Sequence, residues 1–561
     1  MKVNVKSVIV LGGGVIGWFT AATIKKQHPN YEVTLIESPY VPTLGVGEST
    51  VPPLVKILST LGIDENTWLK GVHGIHKFGN HFVGWNTEKP MLHVTDHWNA
   101  DKKDYTFHSF SYSYRSKALR NNFYKGLDER DLKYGNDERF GVDEKSYDYW
   151  LYLVKQGKYS KDDTDAYTME QYHPAMANRA AKYMDGYPVT GEVESYAWHV
   201  DAERYPKMIR DLAALPLGVK WIKGHVEHVE LDDDGYVDKL IFKDGREFKA
   251  DLFCDCTGLS RILMKKMENE WVKFNHLPTQ SAWVAPVKYK DPYKEMKPYT
   301  QSYAQKAGWN FIITLYSRMG SGYVFDANSE DPDVAREDYI KYWDGYDFIR
   351  DPKLIQWEQG HYKKTWTKNV VGIGMGQGFT DPMEATTLFH AQVGITLLNQ
   401  ILDKYDGRII PKLAKQALGR HVQKMLNQAA NFISYHYTIS KRRDTPFWKK
   451  WGQFGIDHDH VTKNWNEYKN PANYFTKNNF LDYQWAHQQL YLDQWDDALC
   501  KIDDIDPNLV KLAEVDFNYL HDKGKAIANT APHVYDWTRK LHDGATHSEI
   551  LEQALAERSD P

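Results

Sequence analysis

The chain of 561 residues sets 70 Lys and Arg against 75 Asp and Glu, for a formal net charge of −5 and a sequence pI near 6.5. Hydrophobic residues make up 42% and charged residues 26%, which excludes collagen-like, coiled-coil and wholly disordered chains. The slight acidity offers no basic stripe to a nucleic-acid backbone, and a mean hydropathy of −0.63 without a run of about 18 apolar residues excludes a membrane-spanning helix. The 3 cysteines are too few for a disulfide framework, so a reducing, cytoplasmic setting is expected. Aromatic content is high, with 19 Trp and 37 Tyr: most must pack in the core, and a fraction is free to line a site for a flat ligand.

The opening segment reads as a strand entering a loop rather than as a signal peptide, because its apolar stretch is short and runs into glycines. Val8 to Leu11 is a short apolar run of the buried parallel-strand kind. Gly12-Gly13-Gly14-Val15-Ile16-Gly17 fits G-x-G-x-x-G, helical spacing runs from Trp18 to about His28, and Val33 to Ile36 is a second strand closed by Glu37. In such a unit the glycines permit a tight turn and a close approach of backbone to a pyrophosphate. The helix N-terminus supplies N–H donors, and an acid about 20 residues on accepts from ribose hydroxyls. A dinucleotide site is therefore expected on Gly12, Gly14, Val15, Ile16, Gly17 and Glu37.

Beyond a charged stretch at 111–147, His225 to Leu252 alternates apolar and polar residues. Asp232-Asp233-Asp234-Gly235 and Lys243-Asp244-Gly245 break it, which predicts a β-meander. A further strand then ends in Asp255-Cys256-Thr257-Gly258. This order tilts the cofactor towards FAD by association rather than by physics. Residues 281–325 read as strand-rich, and helical spacing dominates from about 387. The expected organisation is an interleaved nucleotide-binding module of residues 1–110 and 190–400, an excursion at 111–189, and a largely helical substrate-side region at 400–561.

Five further segments carry a resemblance. Gly45-Val46-Gly47-Glu48-Ser49 follows the nucleotide unit, and His76-Lys77-Phe78 comes next. Gly308-Trp309-Asn310-Phe311-Ile312-Ile313 lies in the strand-rich part. Asp381-Pro382-Met383-Glu384-Ala385-Thr386-Thr387 and Asp444-Thr445-Pro446-Phe447-Trp448 follow in that order. From residue 6 to about 450 the chain resembles the flavin-dependent tryptophan halogenases. The resemblance implies an α/β fold of the FAD-binding, Rossmann-like flavin monooxygenase type, with the β-meander, a second β-sheet and an added helical C-terminal region. It implies the chemistry of that family too. Reduced FAD from a separate flavin reductase reacts with O2, a halide ion (chloride, bromide or iodide) becomes hypohalous acid, and a small aromatic substrate undergoes electrophilic substitution.

Residue by residue, Lys77 matches the family's essential lysine and Glu384 its active-site carboxylate. An ammonium can activate hypohalous acid by a hydrogen bond, or a neutral amine can form a haloamine. A carboxylate can stabilise the cationic ring and take its proton. Thr386 and Thr387 fall at the halide positions, and His108, Phe110 and Trp309 at positions near the substrate ring. Val46, Gly47, Val226, Met375 and Leu388 join the cofactor set. A plainer reading of the segment at 381–387 is a helix N-terminus capped by Thr380 or Asp381.

The chain departs from the family at Phe311, which replaces the second tryptophan of W-x-W-x-I-P, and at Thr314, which replaces its proline. Ala385 stands for a common serine and Thr387 for a common glycine. These changes point away from free tryptophan and towards a wider site for indoles, phenols or anilines, with bromide or iodide favoured over chloride. Trp465, Trp485 and Trp495 are candidates for a substrate-clamping aromatic. Asp457-His458-Asp459-His460 reads as a polar loop, and no metal is expected. The competing reading is a flavin-dependent aromatic hydroxylase, which needs neither Lys77 nor a halide site. The sequence leaves a homo-oligomer open.

Overall fold

The computed structural model describes residues 4–41, 45–87, 92–98, 100, 104–109, 149–182, 195–438, 440–457 and 505–556. The chain divides into two compact units. One comprises residues 1–74, 198–286 and 353–430; the other comprises 75–197, 287–352 and 431–561. Residues 287–352 thus group with 75–197 and the C-terminal helices, because Thr300–Ala304 pairs in parallel with Gly79–Val83.

The first unit is built on a six-stranded sheet. Its order is Trp366–Thr367, Val370–Gly372, Leu252–Asp255, Ser7–Leu11, Glu32–Glu37 and Lys220–Lys223. Ser7–Leu11 lies parallel to both Leu252–Asp255 and Glu32–Glu37. The parallel pairing explains the continuous apolar run, since both faces of a central parallel strand are covered. Val8, Ile9, Val10 and Leu11 are all buried. The helix Val15–Gln27 starts at the glycine turn, as the spacing predicts. The meander is observed as antiparallel strands Val226–Leu231, Val237–Phe242 and Glu247–Phe248. Leu240 and Phe242 on its inner face join Ile9, Ile36, Phe253 and Met264 in one core cluster.

In the second unit, Met319–Phe325, Gly308–Thr314, Thr300–Ala304, Gly79–Val83 and Tyr105–Ser109 are successive neighbours in one sheet. One face packs into an aromatic core holding Phe78, Phe107, Tyr149, Trp150, Tyr299 and Phe517. That core includes residues of the helix Pro507–Thr530, so the helical C-terminal part contributes directly to the unit's stability. Arg442 is 2% exposed, forms an ion pair with Asp444 at 2.7 Å, donates to the Gly84 carbonyl and lies over the Trp448 ring. The basic triplet Lys441-Arg442-Arg443 is in this part structural. Among the described residues no helix is long and apolar enough to cross a membrane.

Candidate active site

The nucleotide loop is shaped by contacts that only glycine tolerates. Gly12 has φ +122°, and a Cβ there would sit 2.3 Å from the Cys256 carbonyl oxygen. Gly14 is different: a Cβ there would meet nothing within 4 Å, so its side of the loop is open to a ligand. Behind the turn, Asp255 is fully buried and accepts from Thr257 N (3.0 Å), Thr257 Oγ1 (2.6 Å), Leu263 N (2.8 Å) and Met264 N (2.8 Å). These four donors fix the loop against which Gly12 lies. Ile16 packs against Gly374, and Met375 approaches Gly258, so the structure brings Gly12, Ile16 and Met375 around one turn.

Glu37 ends its strand, with Oε2 accepting from Trp221 Nε1 at 2.9 Å. Trp221 packs edge-on against Trp18 and under Arg210. Burial pushes the Glu37 carboxyl above its usual range, while the Trp221 hydrogen bond and the nearby Arg210 oppose the shift. The open side of the turn, the helix N-terminus and this oriented acid fit an adenine dinucleotide such as FAD. Val46 offers its carbonyl to Ala202 N, Gly47 opens the strand Gly47–Ser49, and Val226 opens the meander. Leu388 lies in the first turn of the helix Thr387–Lys404, which packs on Val15–Gln27.

The segment at 381–387 corrects the helix-cap reading. The helix begins at Thr387, its N-cap residue is Thr386, and no side chain caps it. Asp381 instead serves a turn: Oδ1 accepts Met383 N at 2.9 Å, Oδ2 accepts Thr279 Oγ1, and Ala385 N donates to the Pro382 carbonyl at 3.2 Å. Gln359 Nε2 in turn donates to the Thr279 carbonyl. The turn leaves Ala385 in the left-handed region at φ +52°, an unfavourable conformation for a residue with a Cβ. Glu384 and Thr386, on either side of it, are each 7% exposed.

Next to this turn lies a cavity of about 20 Å³, bordered among others by Phe379, Thr380, Thr387 and His390. That is room for one water-sized occupant. Burial pushes the His390 imidazole down to about 4, so it is neutral at pH 7. Sequence reasoning missed Thr279, Gln359 and His390. The one available signal was the Asp-Pro pair, which marks a turn as readily as a helix start.

In the second unit Lys77 ends the strand Ile75–Lys77 and is fully buried. Its neighbour His76 accepts from Ala181 N through Nδ1 at 3.1 Å and packs on Trp537 and Tyr196. Strand register places Trp309 on one face of this sheet. Phe311 pairs with Ser302, Ser302 with Phe82, and Phe82 with Thr106. Residues two apart in a strand share a face, so Trp309 belongs to the same side of the sheet as that row. On this face Trp309 is 1% exposed, while Phe311, 6.2 Å from it between ring centroids, is half-buried. The His108 side chain, Phe110, Trp465, Trp485, Trp495 and His458 to His460 lie outside the described residues.

A family model described as tryptophan halogenase matches residues 7–492. The chain is 28% identical over 453 residues to the tryptophan 7-halogenase RebH of Lentzea aerocolonigenes, covering 80% of this chain and 79% of that protein. It is 27% identical over 456 residues to the tryptophan 6-halogenase ThaL of Streptomyces albogriseolus, with the same coverage. Among solved structures, a tryptophan halogenase from Shewanella frigidimarina superposes with a TM-score of 0.79 at 23% identity, over 97% of this chain and 99% of that one. Xcc4156, a flavin-dependent halogenase from Xanthomonas campestris, gives 0.77 at 22% identity, over 96% and 99%. The chain belongs to the tryptophan halogenase family of flavin-dependent enzymes.

Proposed function

We propose that this flavin-dependent halogenase acts on an electron-rich aromatic of the indole, phenol or aniline type, with Lys77 and Glu384 as its catalytic side chains. When bound in its reduced form, FAD supplies the electrons with which O2 oxidises a halide ion to hypohalous acid. The observation that carries the reading is the burial of Lys77, at 0% exposure. Burying an amine is costly, and buried ionisable groups cluster at functional sites, which supports a catalytic role for this one.

Lys77 Nζ donates a hydrogen bond to the hypohalous acid and draws electron density from the halogen. The aromatic carbon then attacks that halogen, the O–halogen bond breaks, and the departing hydroxide takes a proton from Lys77 Nζ and leaves as water. Glu384 stabilises the cationic ring and removes the proton displaced from the substituted carbon. The Asp381 turn fixes the backbone directly ahead of the buried Glu384, which limits where its carboxylate can lie before substrate arrives. Thr386 and Thr387 offer the halide backbone N–H and hydroxyl donors at the start of a helix, where the dipole favours an anion. Glu37 and the glycine turn bind the cofactor. A half-buried Phe311 in place of a second tryptophan supports a wider aromatic site, and bromide or iodide is preferred over chloride because each is oxidised more easily. The reduced cofactor comes from a separate flavin reductase, in a reducing cytoplasmic setting.

The test supplies an aromatic library with FAD, a flavin reductase, NADH, O2 and each halide in turn, and reads products by mass spectrometry. Replacement of one hydrogen by one halogen, lost in Lys77→Ala and in Glu384→Ala, is expected. Oxygen insertion without halide, unaffected by either substitution, would defeat the reading.

A further inference from the structure

Thr314 stands where the family pattern has proline, and its hydroxyl has a specific use. It is fully buried at the end of the strand Gly308–Thr314. Oγ1 accepts the backbone N–H of Lys297 at 3.2 Å and donates to the backbone carbonyl of the same residue at 2.6 Å. One hydroxyl thereby grips both polar groups of a single residue. The next carbonyl along, that of Pro298, accepts the backbone N–H of Phe78 at 2.8 Å. Phe78 directly follows Lys77.

This contact falls outside the regular ladder. The parallel pairing of Gly79–Val83 with Thr300–Ala304 begins at Asn80 and Thr300. The segment Lys297 to Tyr299 enters that ladder without a strand partner of its own, and Pro298 has no N–H to offer one. The Phe78–Pro298 bond is thus the backbone tie at the residue directly after the lysine, and the Thr314 hydroxyl fixes the residue beside its acceptor. Tyr289 reinforces the corner by donating to the Leu315 carbonyl at 2.7 Å. A proline at 314 has no hydroxyl and could not make either bond to Lys297.

We propose that Thr314 is a positioning residue for Lys77, acting through the backbone of Lys297 and Pro298 on Phe78. The inference rests on the reading of Lys77 as the amine that holds hypohalous acid. If that amine is displaced, oxidant is still generated but escapes before it reaches the aromatic. A loss of positioning therefore changes the partition of oxidant, whereas a general loss of folded enzyme lowers both outputs in proportion.

The experiment uses the full-length enzyme loaded with FAD, with a flavin reductase, NADH, bromide and indole as the aromatic probe. Brominated indole is measured by mass spectrometry, and escaped oxidant by a β-diketone trap in the medium. Thr314→Val keeps the shape and removes the hydroxyl, and Thr314→Ser keeps the hydroxyl. In the valine variant kcat for bromoindole is expected to fall about tenfold, KM for indole to stay within about twofold, and the escaped fraction to rise. Serine is expected to restore all three. If valine gives no soluble, FAD-loaded protein, Thr314→Ala makes the same comparison with serine. Equal behaviour of the hydroxyl-free and serine variants, or a proportional fall in both outputs, would overturn the proposal. Lys77→Ala runs alongside: full activity in that variant refutes the reading of Lys77 itself, whatever Thr314 does.

Discussion

The buried carboxylate of Asp381 accepts the hydroxyl proton of Thr279 from 102 positions away in the chain, and its other oxygen accepts Met383 N–H at 2.9 Å. Both side chains are shut from water, at 1% and 0% exposure. A local turn is thereby tied to a distant segment immediately ahead of Glu384. Thr279→Val leaves that oxygen without its donor, which costs about 1.5–3 kcal/mol for a hydrogen bond to a charged group. Denaturant titration is expected to register that loss, and turnover of the aromatic to fall about tenfold as Glu384 loses its fixed orientation. Unchanged turnover in a measurably destabilised variant would show that the latch serves only the fold.

Substitutions in the glycine turn separate folding from cofactor binding. Gly12→Ala drives a Cβ to 2.3 Å from the Cys256 carbonyl oxygen and is expected to destabilise the protein by about 3 kcal/mol. Gly14→Ala meets no protein atom within 4 Å and is expected to leave the unfolding midpoint unchanged. Its added methyl occupies the open side of the turn, so FAD affinity drops by about tenfold or more. Equilibrium dialysis against FAD, beside a urea titration, distinguishes the two cases.

Ala385 holds φ +52° between the carboxylate and the two threonines. The left-handed conformation costs a residue with a Cβ about 1–2 kcal/mol. Ala385→Gly relieves it but frees the unfolded chain by about 0.5–1 kcal/mol, for a net change between zero and about 1.5 kcal/mol in favour of folding. The looser turn is expected to raise the halide KM while stability holds or improves. Halide saturation curves with bromide, run beside urea titrations, test that combination.

His390 gives the first unit a defined acid sensitivity. Burial lowers its imidazole from near 6.5 to about 4, so the folded protein keeps it neutral where the unfolded chain has already taken up a proton. Its contribution to stability is whole above pH 6.5, declines as pH falls, and is lost below about 4, amounting to about 3 kcal/mol over that window. His390→Gln is expected to flatten the change in unfolding free energy between pH 7 and pH 4.5. An unaltered slope would assign the acid sensitivity to other groups.

The glycine turn, the strands around it and the meander were legible because their signals are local. Glycine spacing, an apolar run of strand length and Asp-Gly turns each restrict the backbone within a few residues. The helix does start at Thr387, where the helical spacing begins, and only the cap expected at Thr380 or Asp381 fails, for the same reason. Asp381-Pro382 is a valid helix start by local rules, but a hydrogen bond to Thr279 and another to Met383 N–H made it a turn instead.

By itself, the amino-acid order determined the nucleotide-binding unit, the alternation that places Trp309 and Phe311 on one strand face, and which side chains are proposed as reactive. Only tertiary structure decided that Phe311 shares a sheet face with Ser302 and Phe82, that Asp381 is latched to Thr279, and that the hydroxyl of Thr314 grips Lys297 beside the acceptor of Phe78. The reason is one of range. A side chain's chemistry and a backbone's local preference are fixed within a turn or two. Register and long-range hydrogen bonds depend on which buried donor finds which buried acceptor once the sheets have packed.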